Sequence, residues 1–284
     1  MIVADAGDEF RLITQPAHAE LSGQLADHWG NERFDRPEPR SSVVVATYHH
    51  DNGWREYDMV PRLDPSGEPV NFVEAPHDEW VAFYDTGIEN VVSVDRYAGL
   101  LVSMHGTGVR RRRYGAQPGM PDRSEAYAAF VEEQEALQRR LADELLDDGD
   151  GDAAVAERDV AALEALHATG SYEGTVPGSD LVVDYLLLQL FDRLSLYFCT
   201  TEALTETTIG PVPVAADREP VDLSVVPSAD REVLVDPYPF DESPCSFVVS
   251  GRRIPGGTYS DGAALVDAYF ASPRWTLEFT VRSP

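Results

Sequence analysis

The chain has 284 residues, with 50 acidic and 22 basic side chains and a net charge of −28 at neutral pH. That balance argues against a nucleic-acid partner, whose phosphates need a basic surface. The length can bury a full core, as one large domain or two.

No lysine occurs, so every basic residue is arginine. An acidic surface of this kind suits a cytoplasm at high salt, where a shortened Debye length screens repulsion between carboxylates. The charge is therefore read as a halophilic adaptation to solvent and not as a sign of a partner. The one basic run, Arg110 to Arg113, is either an exposed loop or a phosphate contact. Cys199 and Cys245 sit in apolar company and read as buried thiols rather than a disulfide scaffold. The N-terminus lacks the basic and apolar segments of a signal peptide. No apolar run reaches the ~20 residues of a membrane span. A soluble, cytoplasmic protein with no membrane partner is expected, and its oligomeric state stays open.

In chain order, the runs "MIVAD" and "FRLIT" flank a Gly-Asp turn and predict a β-hairpin. Thr14 caps a helix with Pro16 in its first turn, and Gly30 stops it. "RFDRPEPR" is a proline-rich loop. "SSVVVATYHHD" is ambiguous: its valines prefer strands, while its length also allows a buried helix. Residues 55–79 read as loop. The stretch 80–106 reads as two helices. "DRSEAYAAFVEEQEALQRRLADELLDD" is an amphipathic helix with Tyr127, Phe130, Val131, Leu137 and Leu141 on its apolar face. "DDGDGD" is an acidic tip. Further helices cover about 153–169 and 179–200. Beyond Leu204, short apolar runs alternate with turns and enclose one helix, "DGAALVDAYFAS", so this tail reads as an antiparallel sheet with which the N-terminal hairpin can pair. The expected units are residues 1–203, a hairpin plus helical domain, and residues 204–284, β-rich.

Six of the seven histidines fall within the first 105 residues. "YHHDNGW" (48–54) places His49, His50 and Asp51 at the end of an apolar segment, which is either a polar turn or part of a metal site. His77 is a weak candidate, and His167 lies near the end of a surface helix. His18 shares a helix face with Leu21, Ser22 and Leu25, the usual setting of a core histidine. The helix at 179–200 adds pressure for a site. It is almost wholly apolar, yet it carries Gln189 and Asp192 on one stripe. An ionised carboxylate there is costly without a partner, and adjacent Arg193 points about 100° away. A bound cation or a separate basic group fits better.

At this point the residues resemble a family. The order His, then His-Asp some 30 residues later, then a distant Asp in "LFDRLS" resembles the HD-domain metal-dependent phosphohydrolases. The resemblance implies a mainly α HD-like bundle with a C-terminal antiparallel β-rich unit, α+β overall. It also implies metal ligation by His18, His50, Asp51 and Asp192, with His105 available to a second ion. Gly53 matches the "HDxG" form of that motif, whereas the Gly-Lys that commonly follows the doublet is absent and the 55–79 loop is long. "LITQPAHAELSGQLADHWG", "HHDNGW", "YAGLLVSMHGTG", "FDRLSLYFC" and "PYPF" together resemble a second group over nearly the whole chain, the domain-of-unknown-function family 3891. It has no assigned activity.

The expected function is metal-dependent hydrolysis of a phosphoester of a small molecule or nucleotide. The expected cofactor is a divalent Mn, Fe, Ni, Co or Zn ion. Asp58 and His105 are the candidates for proton transfer. Arg11 and Arg33 are candidates for steadying an anion, and Gln189 for touching substrate. Trp54 and Tyr57 either line the mouth of the site or are plain core aromatics. The alternatives are a di-iron oxygenase and a non-catalytic binding or structural protein.

Overall fold

The computed structural model describes residues 1–110, 124–147, 155–170, 178–200 and 203–284. Arg111 to Arg113 of the basic run and all but the first residue of the acidic tip lie outside the described residues. The chain opens with strands β1 (Ile2–Asp5) and β2 (Glu9–Ile13), then enters the helices α1 (Gln15–Asp27) and α2 (Arg40–His49). Three short 3-10 turns, at 52–54, 57–59 and 72–74, precede α3 (His77–Val92) and α4 (Arg96–Arg110). Next come α5 (Glu125–Asp147), α6 (Glu157–Thr169) and α7 (Asp180–Cys199). Strands β3 (Thr207–Val212), β4 (Val221–Ala229), β5 (Glu232–Asp236) and β6 (Cys245–Pro255) follow, then α8 (Gly262–Ala271) and β7 (Arg274–Arg282).

Among the described residues, the seven strands form one sheet in the order β1-β2-β6-β7-β5-β4-β3. The pairings are antiparallel except β5 with β7. This corrects the expectation of a mainly α HD-like bundle with a separate C-terminal sheet. Phe10 pairs with Ile254 and Leu12 with Arg252, so the N-terminal hairpin is an integral edge of the sheet. The inner face of the sheet needs a cover, and α1 and α7 supply it. Leu21 and Leu25 of α1 and Leu187, Phe191 and Phe198 of α7 share one core with Val225, Phe247 and Phe279 of the sheet. The architecture is α+β, with helices layered on a sheet.

A second core lies among the helices, where Val43, Trp54, Trp80, Leu101, Phe130 and Tyr185 meet. Helix α7 serves both cores: Leu190 and Leu194 face the sheet, and Leu181 and Leu188 face the helices. That double burial explains its all-round apolar sequence. The ambiguous valine run is helical. Val43, Ala46 and Thr47, at spacings of three and four, bury one face, and this outweighs the strand preference of β-branched residues. Helix α1 starts where Thr14 Oγ1 accepts the Ala17 N–H at 3.2 Å. Both cysteines are buried and unpaired. Among the described residues, no helix is long and apolar enough to cross a membrane.

Candidate metal centre

The two cores meet where α1, α2, α4 and α7 converge. Gln15, His18 and Ser22 occupy one stripe of α1, at spacings of three and four. His50 and Asp51 leave the end of α2 and turn at once into the 52–54 segment. That segment lies hard against α3: a Cβ on Gly53 would stand 1.8 Å from the Phe83 carbonyl oxygen. Glycine is required there for close approach, and the contact fixes where Asp51 and Trp54 point.

His18, His50, Asp51 and Asp192 are all buried, although 174 residues separate the first from the last. The two imidazoles face each other Nε2 to Nε2 at 3.2 Å. Asp192 Oδ1 lies 3.0 Å from His18 Nε2 and 3.5 Å from His50 Nε2. Asp51 Oδ2 lies 3.6 Å from each. Donors about 2.1 Å from a shared ion stand about 3.0 Å apart in cis octahedral positions and about 3.4 Å apart in a tetrahedron. The 3.0 and 3.2 Å spacings fall in that range, and the 3.5 and 3.6 Å spacings lie just beyond it.

The second ring nitrogens show that a proton or a cation belongs between the pair. His50 Nδ1 lies 2.8 Å from the Thr47 carbonyl, to which it can only donate. His18 Nδ1 bonds Ser195 Oγ, whose own proton goes to the Asp192 carbonyl at 3.1 Å. Ser22 Oγ stands 2.9 Å from Ser195 Oγ and braces it. In the neutral form, each ring so bonded would aim an Nε2 lone pair at one point. Two lone pairs at this distance repel unless a proton or metal ion lies between them. Tyr84 Oη donates to Asp51 Oδ1 at 3.0 Å, which leaves Oδ2 for the centre.

A proton competes for that point. Burial opposes charge on His50, but Asp51, followed by the Asp192 and Thr47 bonds, outweighs it and raises the pKa to about 9. Burial also pushes Asp192 upward. The bonds and charges of His18 and His50 overcome it and hold the carboxyl well below its usual range. Asp51 is raised, chiefly by burial. His105 is pushed down to about 3 by burial and by His50, so its ring is neutral. It brings a ring nitrogen within 4.8 Å of donor atoms of His50 and Asp51.

Other expected site residues lie elsewhere or act differently. Asp58 accepts the Met1 amino group at 2.7 Å and the Gln15 backbone N–H at 2.6 Å, beside a different cavity. Arg11 is buried and donates to the Cys199 carbonyl at 2.9 Å, joining β2 to the end of α7. Arg33 is exposed on the loop after Gly30, near the ring of Phe34. The Gln189 amide lies 2.8 Å from His105 Nδ1 and orients that ring.

A cavity of about 380 Å³ opens from the centre, with His18, Asp51, His105 and Asp192 at its base. Trp54 is buried in its wall and packs on Phe83, while Tyr57 stacks under Arg62. Sequence reasoning gave no role to Gln15, Trp80, Tyr84 or Tyr127, or to Ser22 and Ser195 as braces. Only the i, i+3 and i, i+4 spacing of Gln15, Ser22 and Ser195 to His18 and Asp192 could have signalled them. Arg110 also lines the cavity, its guanidinium carbon 3.6 Å from the Trp80 ring centre and 3.7 Å from that of Tyr127. His77, at the same wall, packs on Tyr127.

Fold and site together define an α+β protein with buried His/Asp groups that could hold a metal ion. The chain belongs to the DUF3891 family, described as protein of unknown function, whose family model matches residues 1–256. No curated protein and no solved structure matches the chain.

Proposed function

We propose that this protein is a metal-dependent hydrolase of small-molecule phosphoesters, with His18, His50, Asp51 and Asp192 as ligands of a divalent Mn, Fe, Ni, Co or Zn ion. The observation that carries this reading is the Nε2-to-Nε2 approach of His18 and His50 at 3.2 Å, with both Nδ1 atoms engaged elsewhere. Neutral imidazoles and carboxylates suit these ions. The ligand order, which resembles that of the HD-domain phosphohydrolases, adds support from the sequence, although the surrounding fold is different.

A divalent ion bound there would lower the pKa of water and polarise a phosphoryl oxygen. The chain's own residues supply the rest. Arg110 places a guanidinium on the same cavity wall, and its planar fork matches phosphate oxygens. Two aromatic rings hold that side chain in place through cation–π contacts. Neutral His105 takes the Gln189 amide N–H at Nδ1 and so keeps its own proton on Nε2, where it can donate a hydrogen bond at the base of the cavity. Asp58, tied to Met1 and Gln15, stands apart from that cavity.

The test is metal analysis of protein purified without a histidine tag, followed by assay against a phosphoester panel under each metal. One equivalent of metal and turnover lost in Asp192→Ala are expected. Protein that takes up no metal under any loading condition sinks the reading and leaves a non-catalytic role. A second reading, a di-iron oxygenase, draws on the second grouping His50, Asp51 and His105. Two equivalents of iron with oxygen consumption and no phosphoester turnover would select it.

A further inference from the structure

The stripe of α1 that carries His18 holds another polar side chain. Gln15 is 3% exposed and lines the metal cavity. Its backbone N–H is taken by Asp58, but its side-chain Oε1 has no hydrogen-bond partner. A carbonyl oxygen buried without a partner loses its hydration and gains nothing in return. Apolar residues fill such positions elsewhere on this helix, at Leu21 and Leu25. A half-turn of the amide would face that oxygen into the cavity, where an entering ligand would restore the missing bond. Trp54 Nε1 is also unpartnered on that wall, but so are Trp29 and Trp275 elsewhere, so Gln15 carries the inference.

We propose that Gln15 is the specificity-determining residue of the cavity and recognises an uncharged hydroxyl on the alcohol part of the substrate. This rests on the phosphoester reading of the same centre. The chemistry selects the group. A neutral amide offers an acceptor and donors but no counter-charge, so it suits a hydroxyl, which both gives and takes a hydrogen bond, better than an ammonium or carboxylate. The spacing selects the position. Gln15 lies three residues before His18, about 4.5 Å along the helix axis. A phosphoryl group at the metal would then present to Gln15 a hydroxyl two or three bonds beyond the ester oxygen. The substrate class is a phosphate ester of a polyol or sugar, and not of a simple aryl or alkyl alcohol.

Titration calorimetry on metal-loaded protein tests this, with glycerol phosphate and phenyl phosphate as probes. Wild type should bind glycerol phosphate about tenfold more tightly than phenyl phosphate, the worth of one hydrogen bond to a group otherwise left unpaired. Gln15→Leu and Gln15→Met should bring the two affinities together through loss on the glycerol ester, with metal affinity retained. Their thermal midpoints should equal or exceed the wild-type value, because each variant removes an unpartnered buried carbonyl oxygen. Unchanged discrimination in folded variants overturns the inference, as does wild-type protein that binds both esters alike or neither. Turnover is scored separately. Gln15-dependent discrimination without hydrolysis would sink the hydrolase and keep the recognition site. Hydrolysis without discrimination would do the reverse.

Discussion

His18 and His50 meet Nε2 to Nε2 at 3.2 Å, each with its Nδ1 fixed by a partner outside the centre. The His18 partner is Ser195, a hydroxyl that also donates to the Asp192 carbonyl and is braced by Ser22. Ser195→Ala should leave the fold intact and weaken metal binding by about 10–100-fold, the usual effect of removing a ligand's orienting group. Asp192→Asn should weaken it further, since it keeps the shape and removes a ligand charge. Metal titration of the three proteins, with circular dichroism as the folding control, checks the order. Equal affinities would show that Ser195 does not orient His18.

Metal should also stabilise the protein. Ion present at 100 times its dissociation constant is expected to add about 2.7 kcal/mol to the folded state. The thermal midpoint should rise on loading and fall with a chelator. His50→Ala should respond to neither. A wild-type midpoint indifferent to both treatments would remove the centre.

Gly53→Ala would drive a methyl group into the Phe83 carbonyl, 1.8 Å away, a backbone atom that cannot rotate aside. A loss of about 1–3 kcal/mol or more is expected. Because Asp51 enters the same turn, metal affinity should fall with stability. Denaturant titration and metal titration of the variant are the measurements. A variant with wild-type values for both would mean that the 52–54 segment does not set the position of Asp51.

Asp184 on α7 is buried and accepts the Tyr97 hydroxyl at 2.7 Å. Burial pushes its pKa well above the carboxylate range. The folded state therefore holds this proton more tightly than the unfolded chain, where the pKa is about 3.9. Its contribution is complete below that value and is lost as pH rises through the folded pKa, at about 1.4 kcal/mol per pH unit. Asp184→Asn keeps an acceptor for Tyr97 and does not titrate. Its stability relative to wild type should climb as pH rises above about 4 in paired thermal melts. A constant gap would place an ionised Asp184 in the core.

Much of the helical framework was legible because it is written locally. The period of α5 and the apolar length of α7 are visible in single windows. The valines of α2 were not decisive, since burial on one helix face settles them and no window reveals that face. The sheet was legible strand by strand but not as a whole. Phe10 pairs with Ile254 across the length of the chain, and nothing near either residue announces the other. Within the centre, Asp192 stood out as a charge in an apolar helix. Asp58 and Arg11 drew attention by residue type and proximity in sequence. Their partners, the Met1 amine with the Gln15 N–H and the Cys199 carbonyl, are set by the tertiary fold. Gln15 went unremarked because a glutamine at the start of a helix is ordinary until its burial is known.

The place of β2 in the sheet has a consequence for synthesis. The hairpin is made before the rest of the sheet, and the strand that covers its inner edge begins only at Cys245. At ribosomal speeds, that edge waits about 10–50 s for its partner. Glu9 and Arg11 lie along it, and charge on a waiting strand discourages pairing with a neighbouring chain. His18 and Asp192 ride on the two helices that rest against this sheet, one leaving β2 and the other leading to β3. We therefore expect metal to be acquired late, once the last strands have left the ribosome and closed over the first. Pulse-labelled nascent chains released before β6 should retain far less metal than the full-length product.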